Sequence, residues 1–412
     1  MGLDAGAYER LDAELAEVDA QLLADYPGDL GTRQPVHTVY VPADAVTATL
    51  PGDWGEQALG ALDRNLPEPT ALAGVLEVDD DLAAAVLPRV RAKLAREPIE
   101  DLRVDFEDGY GAHSDAEEDA AARAAARVLA GTALPFCGIR LRSLEPGTRR
   151  RGIRTLDLFL AELLDHAALP DGFVVTLPKV THVAQVAAFA DLCGALEQAH
   201  GLSPGSLRFE IQVETPQAIL AADGTASVAL MVHAGGGRVA GLHYGTYDYS
   251  AACGVPSPYQ SLAHPVADHA KAVMQVAAAG TGVRLSDGSS NVLPVGTAEE
   301  IVAAWRLHAH LVRRSLERAY FQGWDLHPLQ LVSRYAATYA FYRGGMPSAA
   351  ARLRAYLSGT HSPVLDEPAT AQGMAALLVR GLQCGALDEA EVTEQSGADR
   401  VQLDALYRRQ VR

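Results

Sequence analysis

Cysteine is scarce in this chain, and the few present stand apart. Cys137, Cys193, Cys253 and Cys384 form no CxxC pair within 412 residues. That excludes a disulfide-stapled scaffold and a zinc-ribbon spacing, and it predicts four small buried side chains in a reducing compartment. Basic charge is short as well: 34 Lys and Arg stand against 52 Asp and Glu, for a formal net charge of −18 and no extended polybasic run. Binding a phosphate backbone needs clustered cations, so nucleic acid is excluded as a partner, and an anionic ligand must be held by a local cation or a metal. No apolar run reaches the roughly 20 residues of a membrane span, so no membrane partner is expected. The opening stretch "MGLDAGAYERLDAELAEVDAQLLADY" is acidic and helical in pattern, unlike a signal peptide. A cytoplasmic location is expected.

What is present is a rhythm. Leu11, Leu15, Val18 and Leu22 recur at helical spacing and predict an N-terminal helix. Short β-rich runs then follow at 36–43, 102–109, 136–143, 172–180, 207–215, 238–249, 282–288 and 320–328, separated by Ala-rich helical patterns such as 114–131, 181–199 and 297–319. Strand alternating with helix calls for a parallel sheet. Eight strand candidates at this spacing predict a (β/α)8 TIM barrel. A doubly wound sheet would carry a glycine fingerprint after its first strand, and none is found; "GGGRVAG" (235–241) precedes a strand and reads as a turn. The resulting division is an N-terminal helical segment over 1–35, a barrel over 36–344 and a helical C-terminal lid and oligomerisation extension over 345–412. An insertion around 44–100 carries one or two extra helices.

Barrel chemistry sits at the carboxyl ends of the strands, and charge collects there. "FEIQVETPQAIL" (209–220) alternates like a strand and then places a carboxylate, Glu214, just before Thr215-Pro216. Asp248 lies near the end of the sixth strand in "HYGTYDYS", while Asp105, Glu107 and Asp108 close the second in "RVDFEDGYG". Arg140 and Arg142 lie in the third, Lys179 ends the fourth, and His327 ends the eighth. Any one of these reads equally well as a solvated strand end; together on one rim they do not. Crowded carboxylates need a cation, and two of them with open water positions suit Mg2+ or Mn2+. Glu214 and Asp248 are the candidate metal ligands. Asp105, Glu107 and Asp108 are catalytic candidates that would steer metal-bound water. Arg140 offers planar donors to a substrate carboxylate or a developing enolate, against the alternative of a salt bridge to a neighbouring acid. Lys179 and Thr215 join it as candidate substrate contacts.

Other features read more plainly. "EPGTRRRGIR" (145–154) is a basic loop after the third strand and is expected to be a solvated face. Ser250, Cys253, His243 and His264 lack a nucleophile elbow and are expected to be buried packing. His327 is expected to be a core hydrogen-bonding residue beneath the site.

The ordered motifs resemble the HpcH/HpaI aldolase and citrate lyase β-subunit family of the phosphoenolpyruvate/pyruvate barrel superfamily. "VDFEDGYG" is similar to its Asp-Leu-Glu-Asp-Ala segment, "GIRLRS" to its Val-Arg-Val-Asn strand, and "TLPKV" to its Leu-Pro-Lys-Val strand end. "VETPQAI" and "YGTYDYSAACG" resemble the segments carrying its metal glutamate and aspartate, and "GWDLHPLQL" its Ile-His-Pro-x-Gln segment. "SPVLDEPATAQGMA" (362–375) resembles its Met-Val-Asp-x-Pro lid, which implies that Asp366 serves as an acid/base in a neighbouring subunit's site. Taken alone, Asp366 is an acid ahead of a helix start. The resemblance implies a Mg2+-dependent carbon–carbon lyase or aldolase acting on an oxo- or hydroxy-acid, or on its CoA thioester, in a homo-oligomer (a trimer or hexamer). Arg142 replaces the family's asparagine and the insertion is long, so the branch is divergent. The rival readings are an acyl-CoA thioester hydrolase, a phosphoenolpyruvate-using transferase, and a non-catalytic metabolite-binding protein.

Overall fold

The period-two alternation decides which side chains enter the barrel and which face the helices. The computed structural model describes residues 5–359 and 367–408. Its eight strands are β1 (His37–Pro42), β2 (Asp101–Asp105), β3 (Phe136–Arg140), β4 (Phe173–Leu177), β5 (Arg208–Val213), β6 (Val239–Tyr244), β7 (Arg284–Ser286) and β8 (Gly323–Asp325). All eight expected strands are present. Parallel ladders run in the order β7-β6-β5-β4-β3-β2-β1-β8. A single bridge from Ser286 to Gln322 brings β7 against β8 and closes the cylinder. The fold is a (β/α)8 barrel.

Helix α1 (Ala5–Asp25) precedes β1, and α2 (Leu50–Asn65), α3 (Pro69–Leu76) and α4 (Asp80–Arg96) occupy the insertion. Three helices therefore stand there, where one or two were expected. The extra helix boundary is the Pro67–Pro69 break, where Pro takes the first turn of α3. The crossovers are α5 (Asp115–Ala130), α6 (Arg149–His166), α7 (Val183–His200), α8 (Pro216–Ile219) with α9 (Ser227–Ala234), α10 (Thr246–Ala252) with α11 (Pro265–Ala278), and α12 (Ala298–Glu317). The 29-residue α13 (Gln330–Ser358) runs through position 344/345, so barrel and extension share one helix. Helices α14 (Pro368–Cys384), α15 (Glu389–Ser396) and α16 (Arg400–Tyr407) follow. Tyr339 ties α13 to α14 through its hydroxyl and the Cys384 carbonyl at 2.9 Å.

Outward-facing strand residues such as Val104, Ile139, Val175, Ile211, Val213 and Leu242 are buried against the helices. The inward-facing set is unusual. TIM barrels ordinarily fill their axis with branched aliphatics, whereas here Asp101, Arg103, Asp105, Arg140, Thr176, Glu210, Gln212 and His243 are buried polar or charged groups. Gly138 makes this possible: a Cβ there would meet the Val174 carbonyl oxygen and come within 2.7 Å of the Arg103 guanidinium. Leu11, Leu15, Val18 and Leu22 lie on α1 as the spacing predicts, yet all four are exposed within the chain.

Candidate functional site

Two ionic tiers are stacked along the barrel axis. In the lower one, Glu210 receives Arg103 Nε and Nη2, both at 3.2 Å. His243 Nε2 lies 2.9 Å from it, and the Thr176 hydroxyl donates to it. Burial opposes ionisation of Glu210, but Arg103 and His243 outweigh it and hold the carboxyl down at about 2. Trp324 Nε1 donates to His243 Nδ1 at 3.1 Å, so the tier is tied across the barrel.

The upper tier is the rim. Asp105 and Arg140 are register partners on β2 and β3, and the guanidinium grips the carboxylate with Nε and Nη2, both at 2.7 Å. The backbone N–H groups of Glu107 and Gly109 each donate to Asp105 at 2.9 Å. Arg140 Nη1 reaches Glu107 at 3.2 Å and Gln212 at 3.4 Å, and its Cζ lies 4.8 Å above the Tyr40 ring. Lys179 is the second rim cation. Its ammonium touches Glu107 at 2.7 Å and Asp108 at 2.9 Å, and lies 4.0 Å from Asp248. Its backbone, at φ 50°, is in the left-handed region that a non-glycine residue adopts at a cost. In that conformation its N–H donates to Glu214 Oε1 at 2.7 Å.

Glu214 is buried, and its other oxygen accepts from Gln212 Nε2 at 2.5 Å. No guanidinium or ammonium is within ion-pair distance of it among the described residues. Burial, with the charges of Glu107 and Asp248 added and those of Arg140 and Lys179 spent on other acids, pushes its carboxyl up to about 8. Glu107 is also raised, by burial first and by Asp108 after it. Asp108 is lowered by Lys179 against the pull of burial. Gly245 leaves the room Glu214 needs, since a Cβ there would lie 2.4 Å from the Glu214 Cβ.

Of the candidates chosen from sequence, Glu107, Asp108, Lys179, Glu214 and Asp248 meet at one place, with Lys179 touching or facing each of the acids. Arg140 and Asp105 are adjacent but engaged with each other, which is the salt-bridge alternative for Arg140. Both Asp105 oxygens are occupied by Arg140 and backbone donors, so it orients the guanidinium. Thr215 does not face the rim opening: its hydroxyl donates to the Val180 carbonyl at 2.6 Å and accepts from Ala218 N at 3.3 Å, capping α8. Asp366 lies outside the described residues.

Other expectations change. The basic stretch is not a loop: Arg149–Arg154 form the first turns of α6, and Arg151 and Arg154 pair with Asp119 on α5. Cys253 is exposed, unlike the three buried cysteines, because it caps the short α10 at the surface. His264 and His327 each accept a backbone N–H two residues on, at 3.1 and 3.2 Å. Ser250 is buried, as expected, with no hydrogen-bond partner for its hydroxyl among the described residues. Gln212 and Tyr40 were missed by sequence reasoning. Gln212 shares the inward parity of Glu214, and that parity was the signal available.

The donor set at the rim is hard oxygen. Among the described residues no group of three or more His, Cys, Asp and Glu is arranged to hold a metal. A cation held here would rest on the two carboxylates of Glu214 and Asp248 and complete its shell with water or ligand oxygens, a set that suits Mg2+ or Mn2+. The Lys179 ammonium beside them is held by Glu107 and Asp108 and lies 4.0 Å from Asp248.

The class these observations define is a parallel (β/α)8 barrel with ionisable groups gathered at the carboxyl ends of its strands, a fold it shares with solved structures. CitE from Mycobacterium tuberculosis, in complex with magnesium, acetoacetate and coenzyme A, superposes with a TM-score of 0.50 at 17% identity, over 86% of this chain and 100% of that one. Haloferax volcanii malate synthase, in a pyruvate and acetyl-CoA ternary complex, gives a TM-score of 0.49 at 15% identity, over 84% of this chain and 82% of that one. No curated protein matches the sequence. Residues 15–411 match the family described as "Domain of unknown function (DUF6986)", and the chain belongs to it.

Proposed function

We propose that this protein is a Mg2+- or Mn2+-dependent carbon–carbon lyase or aldolase acting on a small oxo- or hydroxy-acid, free or as its CoA thioester. The observation that carries this reading is the buried carboxylate of Glu214, short of a cation at the chemical end of the barrel and under the charge of Asp248, which stands exposed on α10. These two residues would hold the ion, which supplies Lewis acidity to the carboxylate and α-oxygen of a bound acid. Arg140, fixed by Asp105 and backed by the Tyr40 ring, turns Nη1 toward the rim, where a substrate oxyanion competes with Glu107 for it. Lys179 contributes a second cation, shared between Glu107 and Asp108. Asp366 is proposed as the proton-moving acid/base carried by the lid segment. If it serves a neighbouring copy, closed cyclic symmetry gives every site one lid.

The rivals separate in one assay. A panel of free oxo- and hydroxy-acids, beside their CoA thioesters, is incubated with and without Mg2+. The ligands of the CitE complex, acetoacetate and coenzyme A, set its first members. Metal-dependent cleavage or condensation, abolished in Glu214→Gln and Asp248→Asn, supports the lyase. Release of CoA alone identifies a thioester hydrolase, and transfer from phosphoenolpyruvate a transferase. Metal and acid binding with no turnover across the panel identifies a binding protein.

A further inference from the structure

The opposite end of the barrel has the reverse imbalance. Arg208 is the first residue of β5 and Arg284 the first of β7, so both stand at the amino-terminal mouth, a full strand length from the rim. Two adjoining clefts of about 300 and 260 Å3 open there and share Leu30, Thr32, Gly282 and Arg284 as walls. Arg208 lines the larger one and has no hydrogen-bond or ion-pair partner among the described residues. Among the described residues Arg284 donates only to Thr32, at 2.7 Å to the hydroxyl and 3.4 Å to the carbonyl, and its guanidinium lies 5.8 Å from the Phe136 ring.

Among the described residues the fully buried arginines do not go without acids. Arg103, Arg140 and Arg334 each hold a carboxylate. Every other charge facing the mouth is exposed or already committed. Arg33 is paired with Glu97 at 2.7 Å and Glu100 at 2.8 Å. Asp29 is held by Arg380 at 3.0 Å, the Tyr407 hydroxyl at 2.5 Å and the Gly31 N–H at 2.8 Å. Asp171 stands exposed at the margin of the larger cleft. The two unneutralised guanidiniums also work against each other. Burial, followed by the charge of Arg208, pushes Arg284 down to about 10, and burial alone lowers Arg208. In a chain of net charge −18, general electrostatics do not call for two uncompensated cations in one cleft. A ligand does.

We propose that the amino-terminal mouth of the barrel is a binding site for a small phosphoryl oxyanion, clasped between Arg208 and Arg284, with the hydroxyls of Thr32 and Ser206 at its margin. Guanidinium groups match phosphate geometry with paired donors, and the cleft has room for a phosphate carrying a short carbon chain. The site is separate from the rim, so its ligand is not the substrate of the reaction proposed above.

The test uses the full chain and inorganic phosphate, exchanged against chloride at constant ionic strength, with the thermal midpoint as readout. Glycerol phosphate is titrated in parallel to separate free phosphate from a phosphate monoester. The wild type gains a saturable rise of a few degrees, as a ligand selective for the folded state requires. Arg208→Gln starts with a higher midpoint in phosphate-free buffer, because the repulsion is relieved, and half-saturates at roughly tenfold higher phosphate or not at all. Arg208→Lys, which keeps the charge, retains part of the response and covers the case in which the glutamine variant folds poorly. Lys179→Met at the rim retains the full response. A wild-type midpoint that follows phosphate no more than chloride overturns the proposal, as does a response that survives in Arg208→Gln or disappears in Lys179→Met.

Discussion

Glu210 and Glu214 belong to one stretch of chain, four residues apart, and both are buried facing the barrel axis. They end up at opposite extremes. Glu210 has Arg103, His243, Thr176 and Tyr40 around it and is held at about 2. Glu214 has two neutral donors and two acidic neighbours and is pushed to about 8. Burial is common to both, so burial is not what distinguishes them. The difference is whether the protein itself supplies the counter-charge. A buried acid that the chain neutralises is part of the scaffold; one that it leaves short marks a candidate functional site.

The largest expected break in this symmetry is in turnover. Glu214→Gln or Asp248→Asn should lower kcat/KM by roughly 10^3, the scale of losing one charge-stabilising interaction worth about 4 kcal/mol, while circular dichroism and the unfolding midpoint stay close to wild type. Wild-type turnover in either variant would dissociate the rim acids from the chemistry. Stability should show the converse. Glu210→Gln leaves Arg103 buried beside a single acid and should cost about 3–5 kcal/mol, whereas Glu214→Gln should be neutral or stabilising at pH 8. Equal losses in denaturant titrations of the two variants would contradict the distinction.

The pH dependence sharpens it further. The folded-state value of Glu214 lies above its unfolded value of 4.5, so the folded chain binds the extra proton. Its contribution to stability is fully present below about pH 4.5 and is lost progressively as the pH rises to about 8. Subtracting the Glu214→Gln profile from the wild-type profile isolates this term, and the difference should grow across that window to a few kcal/mol. A flat difference would mean that the carboxyl is ordinary. The smallest effect concerns Thr215. Thr215→Val should lose about 1 kcal/mol of capping stability at α8 with KM unchanged; a raised KM at normal stability would restore Thr215 as a substrate contact.

The rhythm of the chain made the barrel legible, because strand and helix periods are local and each crossover repeats them. The rim was legible because parity and strand ends put Glu214, Lys179 and Glu107 where chemistry gathers. Three things were not. Whether Arg140 faces a ligand or Asp105 depends on cross-strand register, which places the two directly opposite. The third insertion helix depends on a break between two prolines that a single apolar pattern runs across. The polar axis was written in the sequence as Arg103, Glu210 and His243 at inward parity, but their mutual neutralisation is a through-space fact. The same holds for Arg208 and Arg284, which look like two ordinary strand-start arginines until their missing partners are counted.

The central claim is that Glu214 awaits a divalent cation. Calorimetric titration of the protein with Mn2+ at pH 7, repeated in two buffers of different ionisation enthalpy, tests it most directly. The account predicts saturable binding with about one proton released per ion, because Glu214, held near pKa 8, must give up its proton to become a ligand, and loss of both binding and release in Glu214→Gln. Binding without proton release, or binding unchanged in Glu214→Gln, would contradict it.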